Sequence, residues 1–105
     1  HIPEPRRVLT EMIRVLAPGG TLFVRDLLRS ADDATVRHLV MTYAGTATGT
    51  QRALFEASLR AALSLEEIRG LARELGLPPE GITQTSDRHW TWVFKRPIQA
   101  TRPGT

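Results

Sequence analysis

The chain has 105 residues, and its 41% apolar and 24% charged residues are ordinary for one small folded domain. No apolar run approaches the roughly 18 residues that a membrane-spanning helix needs, and no signal-peptide pattern is present. The absence of cysteine excludes disulfides and thiolate metal sites and favours a cytoplasmic protein.

The net charge is +3, and thirteen of the fourteen basic residues are arginine. The arginines are spread from Arg6 to Arg102 among glutamates, which is typical of solvated helical surfaces, so we do not expect nucleic acid as a partner. One alternative stays open, a small basic binding module for an anionic partner. That alternative requires the arginines to cluster on one face.

A first helix is predicted to begin at Pro5, with one apolar face formed by Val8, Leu9, Met12, Ile13 and Leu16. Pro18 ends this helical segment, and Gly19 or Gly20 supplies the positive φ that reverses the chain. A short strand is predicted over Thr21–Val24.

Arg25 and Asp26 follow this strand, at the end where open α/β sheets bind ligands. An unpaired buried carboxylate is costly. Asp26 therefore either pairs with an arginine or caps a backbone turn, or it faces a ligand crevice. Position alone leaves both interpretations open.

A second helix, capped by Ser30 or Asp32, is predicted to bury Val36, Leu39, Val40 and Tyr43. Residues 45–50 are predicted to form a mobile loop. A third helix follows over Gln51–Leu63, burying Leu54, Phe55, Leu59 and Ala62. Ser64 and Glu67 form a capping box for a fourth helix that ends at Gly76 and carries Ile68, Leu71, Ala72 and Leu75.

Ile82–Ser86 and His89–Arg96 are predicted to form a β-hairpin, and 98–105 a flexible tail. Trp90, Trp92 and Phe94 alternate with largely apolar neighbours, which predicts a strand inside a sheet covered on both faces. The fold class is therefore α/β, with one strand, a C-terminal antiparallel hairpin and about four helices.

No catalytic residue or metal site can be assigned from the sequence. Histidines occur at positions 1, 38 and 89, without metal-site spacing, and no serine lies in a G-x-S-x-G elbow. The Pro18-Gly19-Gly20 turn runs from helix to strand, which is the wrong polarity for a phosphate loop.

The segment His1-Ile-Pro-Glu-Pro, Val8-Leu-x-Glu11, Arg14-Val-Leu-Ala-Pro-Gly-Gly20 and Leu22-Phe-Val-Arg-Asp26 resembles the second half of class I S-adenosylmethionine-dependent methyltransferases. It is most similar to the small-molecule branch that includes quinone-biosynthesis enzymes. The resemblance implies a Rossmann-like sheet in which the last strand lies antiparallel between the fifth and sixth strands. It also implies a helical cover over the substrate after the fifth strand.

The resemblance further implies methyl transfer from S-adenosylmethionine to a small-molecule acceptor. His1 would contact the cofactor, and Arg25, Asp26 and Arg29 would line the substrate site. The family's glycine-rich loop and acidic strand end have no counterpart here, so residues 1–97 correspond to a C-terminal half.

The sequence begins at His1, without methionine, and we expect a piece of a longer protein, inactive alone, whose main partner is its missing N-terminal half. The strand Thr21–Val24 would then expose an apolar edge, and we expect self-association or marginal stability.

Overall fold

The computed structural model describes residues 4–98. The predicted order of helices and strands is confirmed, with small shifts at their ends. The elements are α1 (Pro5–Arg14), β1 (Thr21–Leu27), α2 (Asp33–Ala44), α3 (Gly49–Ala61), α4 (Leu65–Glu74), a 3-10 turn (Pro79–Gly81), β2 (Ile82–Gln84) and β3 (His89–Lys95).

The three strands form one sheet in the order β1-β3-β2. Strand β3 is antiparallel to both neighbours, so β1 and β2 run in the same direction. The predicted hairpin and the central position of its second strand are confirmed. Strand β1 extends three residues beyond the predicted Val24, because Arg25 to Leu27 continue the ladder with β3.

One face of the sheet carries the main core, beneath α1 and α4. Trp90 and Trp92 are fully buried there, together with Leu9 from α1 and Ile68 and Ala72 from α4. The apolar stripes of α1 and α4 therefore cover the same face. Helix α1 is only partly sequestered, because its apolar residues Val8 and Met12 remain 38% and 36% exposed.

The opposite face of the sheet is open over much of its length in the part of the chain that the structure describes. Phe23 and Val93 are paired across β1 and β3 on this face and are 62% and 48% exposed. The expectation that β3 is covered on both faces is therefore wrong for these residues. Only the end near Leu27 is covered, since Leu27 packs against α2 and α3.

Helices α2 and α3 pack on each other around a second, smaller cluster that consists of Val36, Leu39, Val40 and Leu59. Two predicted members are wrong: Tyr43 is 46% exposed and Leu54 is 64% exposed. The Tyr43 hydroxyl and ring instead contact Asp87 and Arg88 of the hairpin turn. Leu54 lies on the outer side of α3. Phe55 is half-buried against the cluster.

Side-chain caps set the helix starts. Asp32 accepts the Thr35 amide at 2.7 Å for α2, and the capping box of Ser64 and Glu67 is confirmed for α4. A second capping box, from Thr48 and Gln51, starts α3 inside the segment 45–50 that was predicted to be a loop. Arg52 orders the same connection by donating to the carbonyl oxygens of Ala44, Gly45 and Ala47.

Positive φ angles at Gly19 (78°) and Gly76 (76°) confirm the two predicted chain reversals. Residue 98 is strongly exposed, while the rest of the predicted tail lies outside the described residues. Among the helices of residues 4–98, none has the length and hydropathy that a membrane crossing demands.

Candidate functional site

The carboxyl ends of β1 and β2 meet the hairpin turn and the first turn of α4 around a surface cleft of about 530 Å³. Clefts of this volume are typical of small-molecule sites. Most of the lining side chains are polar, and the lining residues include Arg29, Ser30, Thr35, Ser64, Gln84 and Asp87.

Backbone hydrogen bonds fix the floor of the cleft. The Leu28 amide donates to the Arg88 carbonyl at 2.8 Å, and the Arg29 amide donates to the Leu63 carbonyl at 3.1 Å. The Arg29 guanidinium forms a 2.5 Å ion pair with Glu67. The Ser64 amide also donates to Glu67, and this hydrogen bond, followed by the charge of Arg29, lowers the pKa of the Glu67 carboxyl. Arg29 therefore links the end of β1 to the start of α4.

A second polar cluster joins α2 to the hairpin turn. The Tyr43 hydroxyl donates to Asp87 Oδ2 at 2.6 Å, and the Arg88 guanidinium lies 3.7 Å from the centre of the Tyr43 ring. Arg88 also pairs with Asp87 Oδ1 at 2.8 Å. The hydrogen bond raises the pKa of Tyr43 and lowers that of Asp87, so near neutral pH a phenol donates to a carboxylate.

Ser86 and His89 form a third polar contact at this turn. Ser86 Oγ lies 2.8 Å from His89 Nδ1 and accepts the Arg88 amide at 3.1 Å, which leaves the hydroxyl proton free to point at the imidazole. Burial, followed by the positive charges of Arg25 and Arg88, lowers the pKa of His89. His89 is therefore neutral near pH 7.

The residues predicted for the substrate site are not brought together in one place. Arg29 lines the cleft. Arg25 and Asp26 are consecutive in β1 and so lie on opposite faces, with Arg25 on the open face beside Thr91. The Asp26 carboxylate is half-buried and accepts a hydrogen bond from the Leu27 amide at 2.8 Å. This contact agrees with the prediction that Asp26 caps a backbone group. His1 lies outside the described residues.

Sequence reasoning missed the residues that the hairpin turn contributes. It treated Asp87 and Arg88 only as a turn and gave His89 no role, whereas the turn forms the hydrogen bonds with Tyr43 and between Ser86 and His89. The polar run from Ser86 to His89 was the available signal. The partnership with Tyr43 spans 44 positions, and no local pattern could have revealed it.

Most of the described arginines form ion pairs or hydrogen bonds with other groups of the same chain. Several pair with carboxylates on the surface, such as Arg37 with Asp33 and Arg60 with Asp33. Others bind backbone carbonyls, as Arg69 does at Ile82 and Arg96 does at Leu16. Residues 4–98 contain no group of three or more histidines or acidic residues placed to hold a metal ion.

Comparisons with protein-family models, with curated protein sequences and with solved structures found no match to this chain.

Proposed function

We propose that this chain is the C-terminal half of a class I methyltransferase that transfers a methyl group from S-adenosylmethionine to a small molecule in the cytoplasm. On this proposal, the chain supplies the substrate side of the site and is inactive alone. The stretch from Arg14 to Asp26, a helix end, a Pro-Gly-Gly turn and a strand ending on a carboxylate, is the sequence feature on which the proposal rests.

The single observation that carries the proposal is the strand order β1-β3-β2, with β3 antiparallel between two strands of common direction. A simple meander would place β2 in the middle. The observed order has the last strand in the middle, which is the arrangement that the sequence resemblance implies.

Two further observations support the same proposal. Helices α1 and α4 pack on the same face of the sheet, as expected for the helices of a layered α/β domain. In addition, β1 pairs only with β3 among the described residues, and its outer edge lies along an apolar groove of about 550 Å³. A strand from the missing half would pair with this edge.

The described residues do not themselves suit S-adenosylmethionine. The amides of Gly19 and Gly20 donate to the carbonyls of Arg96 and Ala17 and so are used within the fold. No strand-to-helix glycine loop lies in residues 4–98. The cofactor contacts would therefore come from the other half, with His1 as the one contact proposed for this chain.

Within the proposed site, Arg29 would contact a polar part of the acceptor, because it lines the cleft while its guanidinium is paired with Glu67. Tyr43 and His89 would form a fixed polar group at the same end of the sheet, because Asp87 and Ser86 hold them by hydrogen bonds. The helices α2 and α3 would limit the access of water to the acceptor.

The test is to read the native gene upstream of the codon for His1. The proposal expects an open frame that encodes a strand, a glycine-rich turn, a helix and a second strand ending in Asp or Glu. A frame without these features would remove the proposal and leave the small basic binding module as the remaining hypothesis.

A further inference from the structure

Two connections of the chain lie side by side at the carboxyl end of β1. One leads from β1 into α2, and the other leads from α3 into α4. Leu28 and Leu63 form a parallel β-bridge between them, and the Arg29 amide donates to the Leu63 carbonyl at 3.1 Å. The segment 30–62 therefore leaves the sheet and returns to it at one place, and short connections of this kind can act as a hinge.

This segment, which we name the lid (residues 30–62), is held together by its own contacts. Helices α2 and α3 share the smaller hydrophobic cluster, in which Leu39 and Leu59 are almost fully buried. An ion pair of 2.5 Å between Asp33 and Arg60 joins the start of α2 to the end of α3. The lid can therefore move as one body without exposing its own core.

The contacts of Tyr43 with the hairpin turn, which we name the latch, hold the far half of the lid to the sheet. Tyr43 lies ten positions after Asp33 in α2, about 15 Å along the helix. Its hydroxyl donates to Asp87 Oδ2 at 2.6 Å, and the Arg88 guanidinium lies over its ring. Tyr43 and the side chain of Asp87 are 46% and 52% exposed, so water can replace the contact when it breaks.

The candidate cleft is a space between the lid and the rest of the chain. Ser30 and Thr35 line it from the lid, and Gln84 and Asp87 line it from the β2–β3 hairpin. Asp87 therefore belongs both to the wall of the cleft and to the latch. A lid that swings away from the hairpin would widen the cleft.

We propose that the lid pivots at the Leu28–Leu63 bridge and that the latch at Tyr43 controls whether the cleft is closed or open to ligands. The proposal concerns access to the cleft, whatever reaction takes place there, and so does not depend on methyl transfer. A hydrogen bond to a carboxylate is strong enough to favour the closed position, while its loss costs little enough for the open position to be populated.

The experiment measures distances between pairs of nitroxide labels on the 105-residue chain by double electron–electron resonance. The chain has no cysteine, so two substitutions introduce each label pair at exposed positions. Thr50→Cys with Arg73→Cys measures the distance from the far end of the lid to α4. Thr50→Cys with Ala34→Cys measures a distance within the lid and shows whether the lid stays intact.

Two substitutions test the latch in this experiment. Tyr43→Phe removes the hydrogen bond to Asp87 and keeps the ring, whereas Tyr43→Ala removes both contacts. Thr42→Ala is the matched control, because the Thr42 hydroxyl donates to the His38 carbonyl within α2 at 2.8 Å. Circular dichroism checks that each variant is folded.

We expect Tyr43→Phe to raise the ratio of open to closed lid by at least about tenfold, because a hydrogen bond to a charged group is lost. The change should appear as a second, longer distance between the lid and α4. Tyr43→Ala should increase this population further, Thr42→Ala should leave it unchanged, and the distance within the lid should stay constant in every variant.

An unchanged distance from the lid to α4 in Tyr43→Ala would show that Tyr43 does not hold the lid, and an equal effect of Thr42→Ala would do the same. A distance within the lid that changes together with the distance to α4 would overturn the pivot, because the lid would then unfold rather than swing.

Discussion

The polar side chains at the hairpin turn form one connected group, because each makes a hydrogen bond or a cation–π contact with another member. Asp87 accepts from both Tyr43 and Arg88, and Arg88 stacks on the Tyr43 ring. Ser86 bridges the Arg88 amide and the His89 ring. This arrangement connects α2 to the sheet, and its hydrogen bond between Tyr43 and Asp87 raises the pKa of the phenol and lowers the pKa of the carboxyl.

Tyr43→Phe should raise the pKa of Asp87 toward the ordinary aspartate value, because the Tyr43 hydrogen bond is the largest cause of its depression. Carbon-detected NMR titration of the Asp87 carboxyl measures this directly. Asp32 is the internal control, since Thr35 rather than Tyr43 lowers its pKa. An unchanged Asp87 titration in the variant would contradict the described contact.

The lowered pKa of Asp87 also determines how the free energy of unfolding changes with pH. A carboxyl whose folded pKa is depressed contributes stability above its unfolded pKa and loses that contribution as the pH falls through the folded value. The stability difference between the native chain and Tyr43→Phe should therefore shrink in acid, below the ordinary aspartate range. Thermal melts at neutral and acidic pH measure this difference, and a constant difference would argue against the linkage.

Arg25→Gln should raise the pKa of His89 part of the way to its ordinary value. Burial is the largest cause of the depression and remains in the variant, while the repulsion from Arg25 is removed. Imidazole NMR titration measures the shift, and Arg37→Gln is the control, since Arg37 pairs with Asp33 and is not among the charges that shift the pKa of His89. An equal effect of the two substitutions would show that Arg25 does not act on His89 locally.

At the scale of the elements, residues 4–98 contain two hydrophobic clusters, and Leu27 of β1 packs against the smaller one. The sheet with α1 and α4 forms the larger cluster, and the pair α2 and α3 forms the smaller one. Besides Leu27, the contacts of Tyr43 with Asp87 and Arg88 tie this pair to the sheet. The pair is therefore expected to open more readily than the sheet.

Thr48→Ala should destabilise α3 by about 1 kcal/mol through the loss of the cap. Because α3 belongs to the smaller cluster, the substitution should accelerate amide hydrogen exchange in α2 and α3 and leave β1 and β3 almost unchanged. Ser64→Ala, which removes the equivalent cap of α4, serves as the comparison. It should accelerate amide exchange in the sheet strands as well, because α4 packs on the sheet. Identical exchange profiles for the two variants would contradict a division into two units.

The elements were predictable where a local rule decides them. The capping box at Ser64, the stops at Gly19 and Gly76 and the hairpin each depend on residues adjacent in sequence. The position of Tyr43 was not predictable, because its helical spacing agrees with a buried stripe while its partner Asp87 comes from a distant turn. The open face was missed for a similar reason: Val93 is apolar, and an apolar pattern does not say whether anything in the chain covers it.

On the scale of the whole molecule, β1 and β2 are the edge strands of the sheet within residues 4–98, and one face of the sheet is open. The free edge of β1 and the exposed Phe23 lie side by side. Such edges promote association with another chain.

Sedimentation velocity and thermal melting of the isolated chain should therefore show concentration-dependent self-association or a transition of low stability. Dilution is the control, since association through an exposed edge reverses with concentration. A chain that stays monomeric at high concentration and melts cooperatively at high temperature would contradict this expectation.

The most direct test of the central claim is calorimetric titration of S-adenosylmethionine into two proteins. One is the 105-residue chain, and the other is the same chain extended by the coding sequence upstream of His1. We predict one molecule of cofactor bound per extended chain and no measurable binding to the 105 residues alone. A folded extended chain that does not bind S-adenosylmethionine would contradict the assignment, and binding by the 105 residues alone would contradict the division of the site between two halves.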